Sequence, residues 1–157
     1  MAVWQVDFAI VPRRAIATAP QALLPEVIDT DWWSTQRFPP RYAQHLAAIA
    51  PPSTSWTSEL QTWGAENGNR VDVWFENGKP ARIIARVDVR RLDAKFGAML
   101  LQFARVADAV LVRHDGLVVE PLVGAFGAAL RTSSAWQYAT DPAAHLASYS
   151  EAEDDDD

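Results

Sequence analysis

Two aspartates are the strongest candidates for acid–base chemistry in this sequence. Asp7 and Asp88 each lie in a stretch where apolar and polar residues alternate, a pattern that predicts β-strands. Two carboxylates on neighbouring strands can share one proton and act as general acid and base, provided that the site is shielded from water. With Arg86 and Trp74 they would form a Trp-lined cleft for a small molecule or a hydrolase-like reaction. No residue in the sequence indicates the desolvated cleft that such a pair needs.

Side chains for other chemistries are few or lack the required spacing. The sequence has no cysteine, which excludes disulfides, thiolate catalysis and metal sites built on sulfur. Its histidines, His45, His114 and His145, do not have the spacing of a zinc motif, and no serine lies in a Gly-x-Ser-x-Gly elbow. Gly124 and Gly127 fall within a predicted helix and do not form a phosphate-binding loop. We therefore expect no metal and no cofactor, and a binding protein rather than an enzyme.

Tryptophan and arginine are the abundant interaction residues. The chain has 7 Trp, and 12 of its 14 basic residues are Arg. These two residue types dominate the energetics of protein–protein interfaces. In the Pro- and Trp-rich segment 13–69, the indole rings either pin an irregular region to the core or line a groove for a ligand. Trp32 and Trp33 are adjacent and point in different directions, so we expect one ring to be buried and the other displayed.

The negative net charge comes from the C-terminal end. The formal charge is −6, and residues 151–157 contain six acidic side chains, so residues 1–150 hold 14 acids and 14 bases. A neutral domain lacks the basic surface that nucleic acids and anionic membranes require, so we expect neither as a partner. We predict a single domain over residues 1–150 and a disordered acidic tail over residues 151–157.

The start of the chain and its apolar runs bear on the compartment. Gln5 and Asp7 interrupt the first ten residues, which also lack the basic region of a signal peptide. No window reaches the ~18 consecutive apolar residues of a membrane-spanning helix. We expect a cytoplasmic protein.

An Asn-Gly pair between two alternating stretches predicts a β-hairpin. Asn77-Gly78 is a typical sequence for a tight hairpin turn. With a two-residue loop, however, the apolar residues of one strand would face the charged residues of the other. We therefore predict a bulged, three-residue loop with Gly78 in the left-handed conformation, which pairs Val73 with Ile83 or Ala81.

The remaining elements follow from hydrophobic spacing, with a first strand ending at Pro12. The further predictions are helices at 40–49, 93–107, 121–130 and 141–149, a helical turn placing Trp56, Leu60 and Trp63 on one side, and short strands at 109–113 and 117–119. The order strand, helix, strand, strand, helix, strand is that of the split βαβ, ferredoxin-like arrangement. We predict an α+β fold with this core, a Pro/Trp-rich insertion and C-terminal helices. Helices would cover one face of an antiparallel sheet, and the other face would stay open unless the insertion covers it.

The uncovered face would carry the candidate binding residues. They are Trp74, Arg82, Arg86, Asp88 and Arg90, with Trp32 and Trp33 from the insertion. This face is either a solvated surface with cross-strand ion pairs or a docking surface for a protein. RNA binding is excluded because Trp74 is the only aromatic residue on this face and is flanked by acidic residues.

The leading functional hypothesis is a non-enzymatic protein-binding module. Bacterial antitoxin and immunity-type inhibitors belong to this physical class. A third possibility is a homodimer that pairs through an exposed strand edge, in which case the charged face is only structural.

Overall fold

A seven-stranded antiparallel sheet forms the centre of the molecule in the computed structural model, which describes residues 2–17, 29–65, 67–141 and 143. In chain order its strands are β1 (Gln5–Pro12), β2 (Pro52–Ser53), β3 (Leu60–Gly64), β4 (Arg70–Glu76), β5 (Lys79–Asp88), β6 (Ala109–Arg113) and β7 (Val118–Val119). Their spatial order is β2-β3-β4-β5-β1-β6-β7. The described part of the chain also contains five helices: α1 (Arg13–Ala17), α2 (Tyr42–Ile49), α3 (Ala94–Val106), α4 (Val123–Arg131) and α5 (Ser134–Thr140).

These elements confirm the predicted α+β class. The strands β4, β5, β1 and β6 are contiguous in the sheet, and β1 and β5 are neighbours, as the split βαβ arrangement requires. The sheet is wider than that arrangement, because β2 and β3 extend it on one side and β7 extends it on the other. The ferredoxin-like identity of the core therefore stays a prediction. The outermost strands, β2 and β7, contain two residues each.

One face of the sheet forms the main core with the helices α2, α3, α4 and α5. Alternate residues of β1, including Val6 and Phe8, point into this core. The three helices predicted for residues 40–49, 93–107 and 121–130 are present as α2, α3 and α4. The helix α3 begins after Asp93 because that side chain accepts hydrogen bonds from the backbone N–H groups of Lys95 and Phe96.

The hairpin of β4 and β5 has the predicted register but a shorter loop. Val73 pairs with Ile83, and Gly78 lies in the left-handed region with a φ of 76°, both as predicted. The prediction of a three-residue loop is wrong, because the loop consists of Asn77 and Gly78 alone. Both residues have positive φ, which a two-residue hairpin turn of the Asn-Gly type requires.

A β-bulge inside the hairpin, rather than a longer loop, restores the register. Trp74 pairs with Arg82, but the next residue, Phe75, pairs with Pro80, so Ala81 is the extra residue. Proline has no N–H group to donate to the ladder and is confined in sheets to edges, strand starts and bulges. The bulge thus keeps the charged side chains of both strands on one face of the sheet.

The chain around Trp63 forms a strand where the sequence predicted a helical turn. Residues Leu60–Gly64 are β3 and pair along their length with β4. In this extended backbone Trp63 enters the main core, whereas Trp56 precedes the strand and is exposed. The predicted turn rested on a spacing near 3.6 residues, and pairing with β4 is a long-range interaction that this spacing does not reveal.

The C-terminal region contains a helix that the sequence did not predict. The helix α5 begins after Ser133, whose hydroxyl accepts a hydrogen bond from the backbone N–H of Trp136. Apart from Asp141 and Ala143, the helix predicted for residues 141–149 lies outside the described residues, as does the acidic tail. No helix in the described ranges combines the length and the apolar character of a transmembrane span.

The face of the sheet opposite the main core, here called the polar face, has two halves. In the covered half, a second apolar cluster packs against Ala15, Ile16 and Trp32. The four cluster residues of the covered half are Ala9, Val11, Val110 and Val112. The charged half carries one aromatic and several charged side chains, which are Trp74, Asp7, Arg70, Asp72, Arg82, Arg86 and Asp88. The open face expected from the sequence is therefore covered in part.

Candidate functional site

The charged half of the polar face brings together five of the seven residues predicted to bind a partner. Trp74 on β4 lies directly opposite Arg82 on β5, and Arg70 lies opposite Arg86. On the other side of β5, Arg86 lies opposite Asp7 of β1. The register places Trp74, Arg82, Arg86 and Asp88 on one face, and Arg90 lies beside Asp88 in the turn after β5.

A two-pronged ion pair joins the central strands β1 and β5. The Nε and Nη2 atoms of Arg86 donate to the two carboxylate oxygens of Asp7 at 2.9 and 3.3 Å. This hydrogen bonding raises the pKa of the Arg86 guanidinium above its ordinary value. The neighbouring Asp72 accepts a hydrogen bond from the Thr62 hydroxyl at 2.8 Å and pairs with Arg70 Nε at 3.2 Å. The charged half is thus a lattice of ion pairs on the strands β1, β4 and β5, which the Thr62 hydrogen bond extends to β3.

Asp88 is the most deeply buried carboxylate of this lattice, with no exposed surface. Arg90 donates to it three times, from its backbone N–H at 2.9 Å, from Nε at 3.2 Å and from Nη2 at 3.0 Å. Burial alone would raise the pKa of Asp88, but these hydrogen bonds outweigh it, and the pKa lies below its ordinary value. The Arg90 guanidinium is in turn stacked on Trp4, with its Cζ 3.8 Å from the ring centroid.

The geometry of Asp7 and Asp88 is that of structural ion pairs rather than of an acid–base couple. They lie on adjacent strands, but Asp7 is opposite Arg86 and Asp88 is opposite Gln5. Each carboxylate is bound by its own arginine. A general acid needs a raised pKa at neutral pH, and the pKa of Asp88 is displaced in the other direction.

The ion pairs are layered, with carboxylates inside and guanidinium groups outside. The side chains of Asp7, Asp72 and Asp88 are 12%, 12% and 0% exposed. Their partners Arg86, Arg70 and Arg90 are 20%, 18% and 43% exposed. Although the charges balance formally, the surface that a ligand would meet is richer in guanidinium than in carboxylate.

An exposed aromatic ridge borders the lattice on the side of β3. Trp56 is 83% exposed, and its ring packs edge-on to that of Trp74 with the centroids 6.2 Å apart. The Arg82 guanidinium lies over the Trp74 ring, with its Cζ 5.3 Å from the ring centroid. It also forms ion pairs with Asp29 and Asp31. We call Trp56, Trp74 and Arg82 the Trp56 ridge.

Trp56 is the residue that sequence reasoning missed. The predicted helical turn put Trp56, Leu60 and Trp63 on one side and left open whether the rings of this segment pack on the core or line a groove, so Trp56 was not singled out as an exposed residue. The informative signal was its immediate context, because Ser55 and Thr57 flank it with polar side chains.

Trp32 and Trp33 do not join the ridge. Trp33 is buried in the main core, and its indole Nε1 donates to the carbonyl oxygen of Ile10 at 2.8 Å. Trp32 is half-buried and packs against the apolar residues of the covered half. One ring is buried, as predicted, but the other helps to cover the sheet instead of being displayed for a partner. Both residues therefore fasten the insertion to the sheet.

Two pockets lie on the charged half, and Arg70 lines both. The first has a volume of about 280 Å³ and is lined by Trp4, Gln5, Asn67, Arg70, Arg86 and Arg90, among others. The second, of about 300 Å³, lies beside the Trp56 ridge and is lined by Ser55, Trp56, Leu60, Thr62, Arg70 and Asp72, among others. Neither lining includes Asp7 or Asp88, so neither pocket is the cleft that the paired-carboxylate hypothesis requires.

The donor set of the site offers little to a metal ion. Within the described ranges, no group of three or more His, Asp or Glu side chains is placed to hold one. The polar groups of the charged half are instead dominated by guanidinium donors, which suit anionic or aromatic groups. No protein-family model matches the chain, and neither the curated proteins nor the solved structures contain a match to it.

Proposed function

We propose that this protein is a protein-binding module without catalytic activity, whose docking surface centres on the Trp56 ridge. The observation that carries the proposal is the position of the Trp56 indole, which is 83% exposed yet held edge-on against Trp74. An indole buries a large area when a partner covers it, and it loses few rotameric states in doing so. Trp and Arg, the residues of the ridge, are the types most enriched among interface hot spots.

Two of the three ridge residues, Trp74 and Arg82, are held in place before any partner arrives. Trp74 and Arg82 stand opposite each other on two long neighbouring strands, and Arg82 is also paired with Asp29 and Asp31. Side chains that are already fixed lose little entropy on association, which favours binding. The outer layer of guanidinium groups next to the ridge favours a partner with an apolar pocket bordered by acidic groups.

An inhibitor of the antitoxin or immunity type is the biological role that we propose for this surface. Such an inhibitor needs a small rigid scaffold that blocks its target by contact, without chemistry of its own. The ion pairs of Asp7 and Asp88 argue against the alternative of a small-molecule binder or hydrolase-like enzyme, because both carboxylates are engaged by arginines.

The test is affinity capture from a lysate of the source cells with four forms of the full chain. They are the wild type, Trp56→Ala, Trp74→Ala and, as a matched control, Leu122→Ala, which removes another exposed apolar side chain outside the polar face. We expect one protein to be retained by the wild type and by Leu122→Ala and to be depleted about tenfold or more from both Trp variants, as loss of a hot spot predicts.

Equal capture by all four forms would contradict the proposal, as would an equal loss from Leu122→Ala. The melting temperatures of Trp56→Ala and Leu122→Ala should stay within about 2 °C of the wild type, because surface substitutions change stability little. A loss of capture with such an unchanged melting temperature reports on the surface and not on the fold.

A further inference from the structure

We propose that the first pocket of the charged half binds a carboxylate group through Arg70, Arg86 and Arg90. We call it the arginine pocket. These residues come from β4, β5 and the turn after β5, and no acidic side chain of the described ranges lines the pocket with them. The amide side chains of Gln5 and Asn67 add further hydrogen-bonding groups to its wall. Its volume of about 280 Å³ accommodates a small organic acid or the end of an acidic side chain.

Two of the arginines, Arg70 and Arg86, bring like charges close together in the sheet. Arg70 and Arg86 lie directly opposite each other on β4 and β5. Like charges in directly opposed cross-strand positions destabilise a sheet. Asp72 and Asp7 offset this repulsion on the side of the sheet, since both are more buried than their arginines. An anion in the pocket would lie between the two guanidinium groups and reduce the repulsion on the solvent side.

The guanidinium groups of Arg86 and Arg90 are fixed in place and keep further N–H donors. Arg86 and Arg90 each bind their own aspartate through Nε and Nη2, and this two-pronged contact fixes the plane of each group. A guanidinium carries five N–H donors, so the two N–H groups of each Nη1 lie outside these contacts. Trp4 supports the Arg90 group from one side. Binding therefore requires little reordering of the protein.

Charge balance favours a carboxylate over a phosphate. The three arginines are already paired with three aspartates, so the cluster has no surplus positive charge. A carboxylate adds one negative charge, whereas a phosphate group adds about two at neutral pH. The carboxylate can come from a free organic acid or from an acidic side chain of a protein partner. The second source rests on the proposed function, and the first does not.

The test follows the side-chain Nε–H signals of the arginines by NMR in the full chain at constant ionic strength. Acetate, glutarate, a tetraglutamate peptide and inorganic phosphate are titrated separately. We expect saturable shifts of the Arg86 and Arg90 signals with the carboxylates. Arg86→Lys keeps the charge beside Asp7 but loses the fork, and it should weaken binding about tenfold or more. The matched control is Arg91→Lys, an exposed neighbour that does not line the pocket and should leave binding unchanged.

Absence of saturable shifts would overturn the proposal, as would equal weakening by Arg91→Lys. Tighter binding of phosphate than of any carboxylate would overturn the ligand class. Glu66 lies outside the described residues and precedes Asn67 in the chain, so Glu66→Gln is measured as well. Tighter carboxylate binding by that variant would show that the chain's own carboxylate competes for the pocket, which would overturn an external ligand.

The two carboxylate sources are distinguished by affinity. Glutarate binding as tightly as the peptide supports a free acid, and a peptide preference of about tenfold or more supports a partner side chain. Both results support the arginine pocket. If capture by the Trp56 ridge persists while no carboxylate binds, the arginine pocket fails and the proposed function stands.

Discussion

The two halves of the polar face exclude water in different ways. In the covered half, Val11 and Val112 are apolar and lie beneath α1 and Trp32. In the charged half, Asp7 and Asp88 are shielded mainly by the arginines that bind them. The strand β1 runs through both halves, and its outward residues change from polar to apolar along its length. Adjacent surfaces of one sheet can thus be buried by a covering segment or by ion pairs.

This contrast teaches where a partner has room to bind. The covered half is an internal interface, already occupied by the protein's own chain. In the charged half, guanidinium groups cover the carboxylates, and these groups are themselves partly exposed to solvent. Substitutions that add or remove a charge, or remove an exposed ring, test this difference between the two halves.

The largest effect should come from placing a carboxylate in the covered half. Val11 has no exposed surface, so Val11→Asp buries a charge among apolar residues and should cost more than ~3 kcal/mol in free energy of unfolding. Ile84 is half-buried in the charged half, flanked along β5 by Arg82 and Arg86. The matched variant Ile84→Asp should cost less than half as much, because its position is half-buried and the two flanking arginines offset the repulsion from Asp72, which lies directly opposite. Urea unfolding at pH 7 measures both, and equal losses would remove the distinction between the halves.

A smaller, pH-dependent effect is expected at Asp88. Asp88→Asn removes the charge that Arg90 binds and should cost about 2 kcal/mol at pH 7. Because the pKa of Asp88 is lowered by folding, its charge stabilises the fold fully at pH values above the ordinary pKa of 3.8. That contribution disappears as the pH falls further, through the folded-state pKa. The difference in unfolding free energy between wild type and variant should therefore shrink from pH 7 to pH 3. A difference that is the same at both pH values would assign the cost to packing instead.

The smallest effect is expected at the Trp56 ridge. Trp56→Ala should change the free energy of unfolding by less than about 0.5 kcal/mol, because the indole is 83% exposed. Its edge-on contact with Trp74 is the only ring contact that it makes among the described residues. Thermal unfolding followed by circular dichroism checks this expectation. A loss above ~1 kcal/mol would mean that Trp56 packs as a structural residue rather than standing ready for a partner.

Local patterns in the sequence predicted the elements of the charged half well. Alternation assigned Trp74, Arg82, Arg86 and Asp88 to one face, because side chains of a strand point to opposite sides with a period of two. The left-handed Gly78 followed from the Asn-Gly turn. The position of the bulge did not, because periodicity reveals that the register needs an extra residue without locating it. Pro80 was the available clue, since it cannot take part fully in the ladder.

Long-range interactions account for what the sequence left out. β3 is a strand because β4 lies beside it, and the spacing of its own apolar residues resembled a helix. Trp33 is buried because its indole reaches the carbonyl of Ile10 across the fold, a contact that adjacency to Trp32 does not indicate. Arg70 lies opposite Arg86 in the sheet, and this arrangement shapes the arginine pocket. It depends on the bulged register between β4 and β5 and not on either strand alone.

The brevity of β2 and β7 limits how copies of this chain can assemble. Each offers two residues at the rim of the sheet, and Pro52 in β2 supplies no N–H group. A second molecule adding its own strand at either rim would gain only a few backbone hydrogen bonds. The long apolar strands that favour fibrillar stacking lie in the interior, out of reach of such addition. Concentrated solutions of the folded protein should accordingly resist the growth of intermolecular sheets.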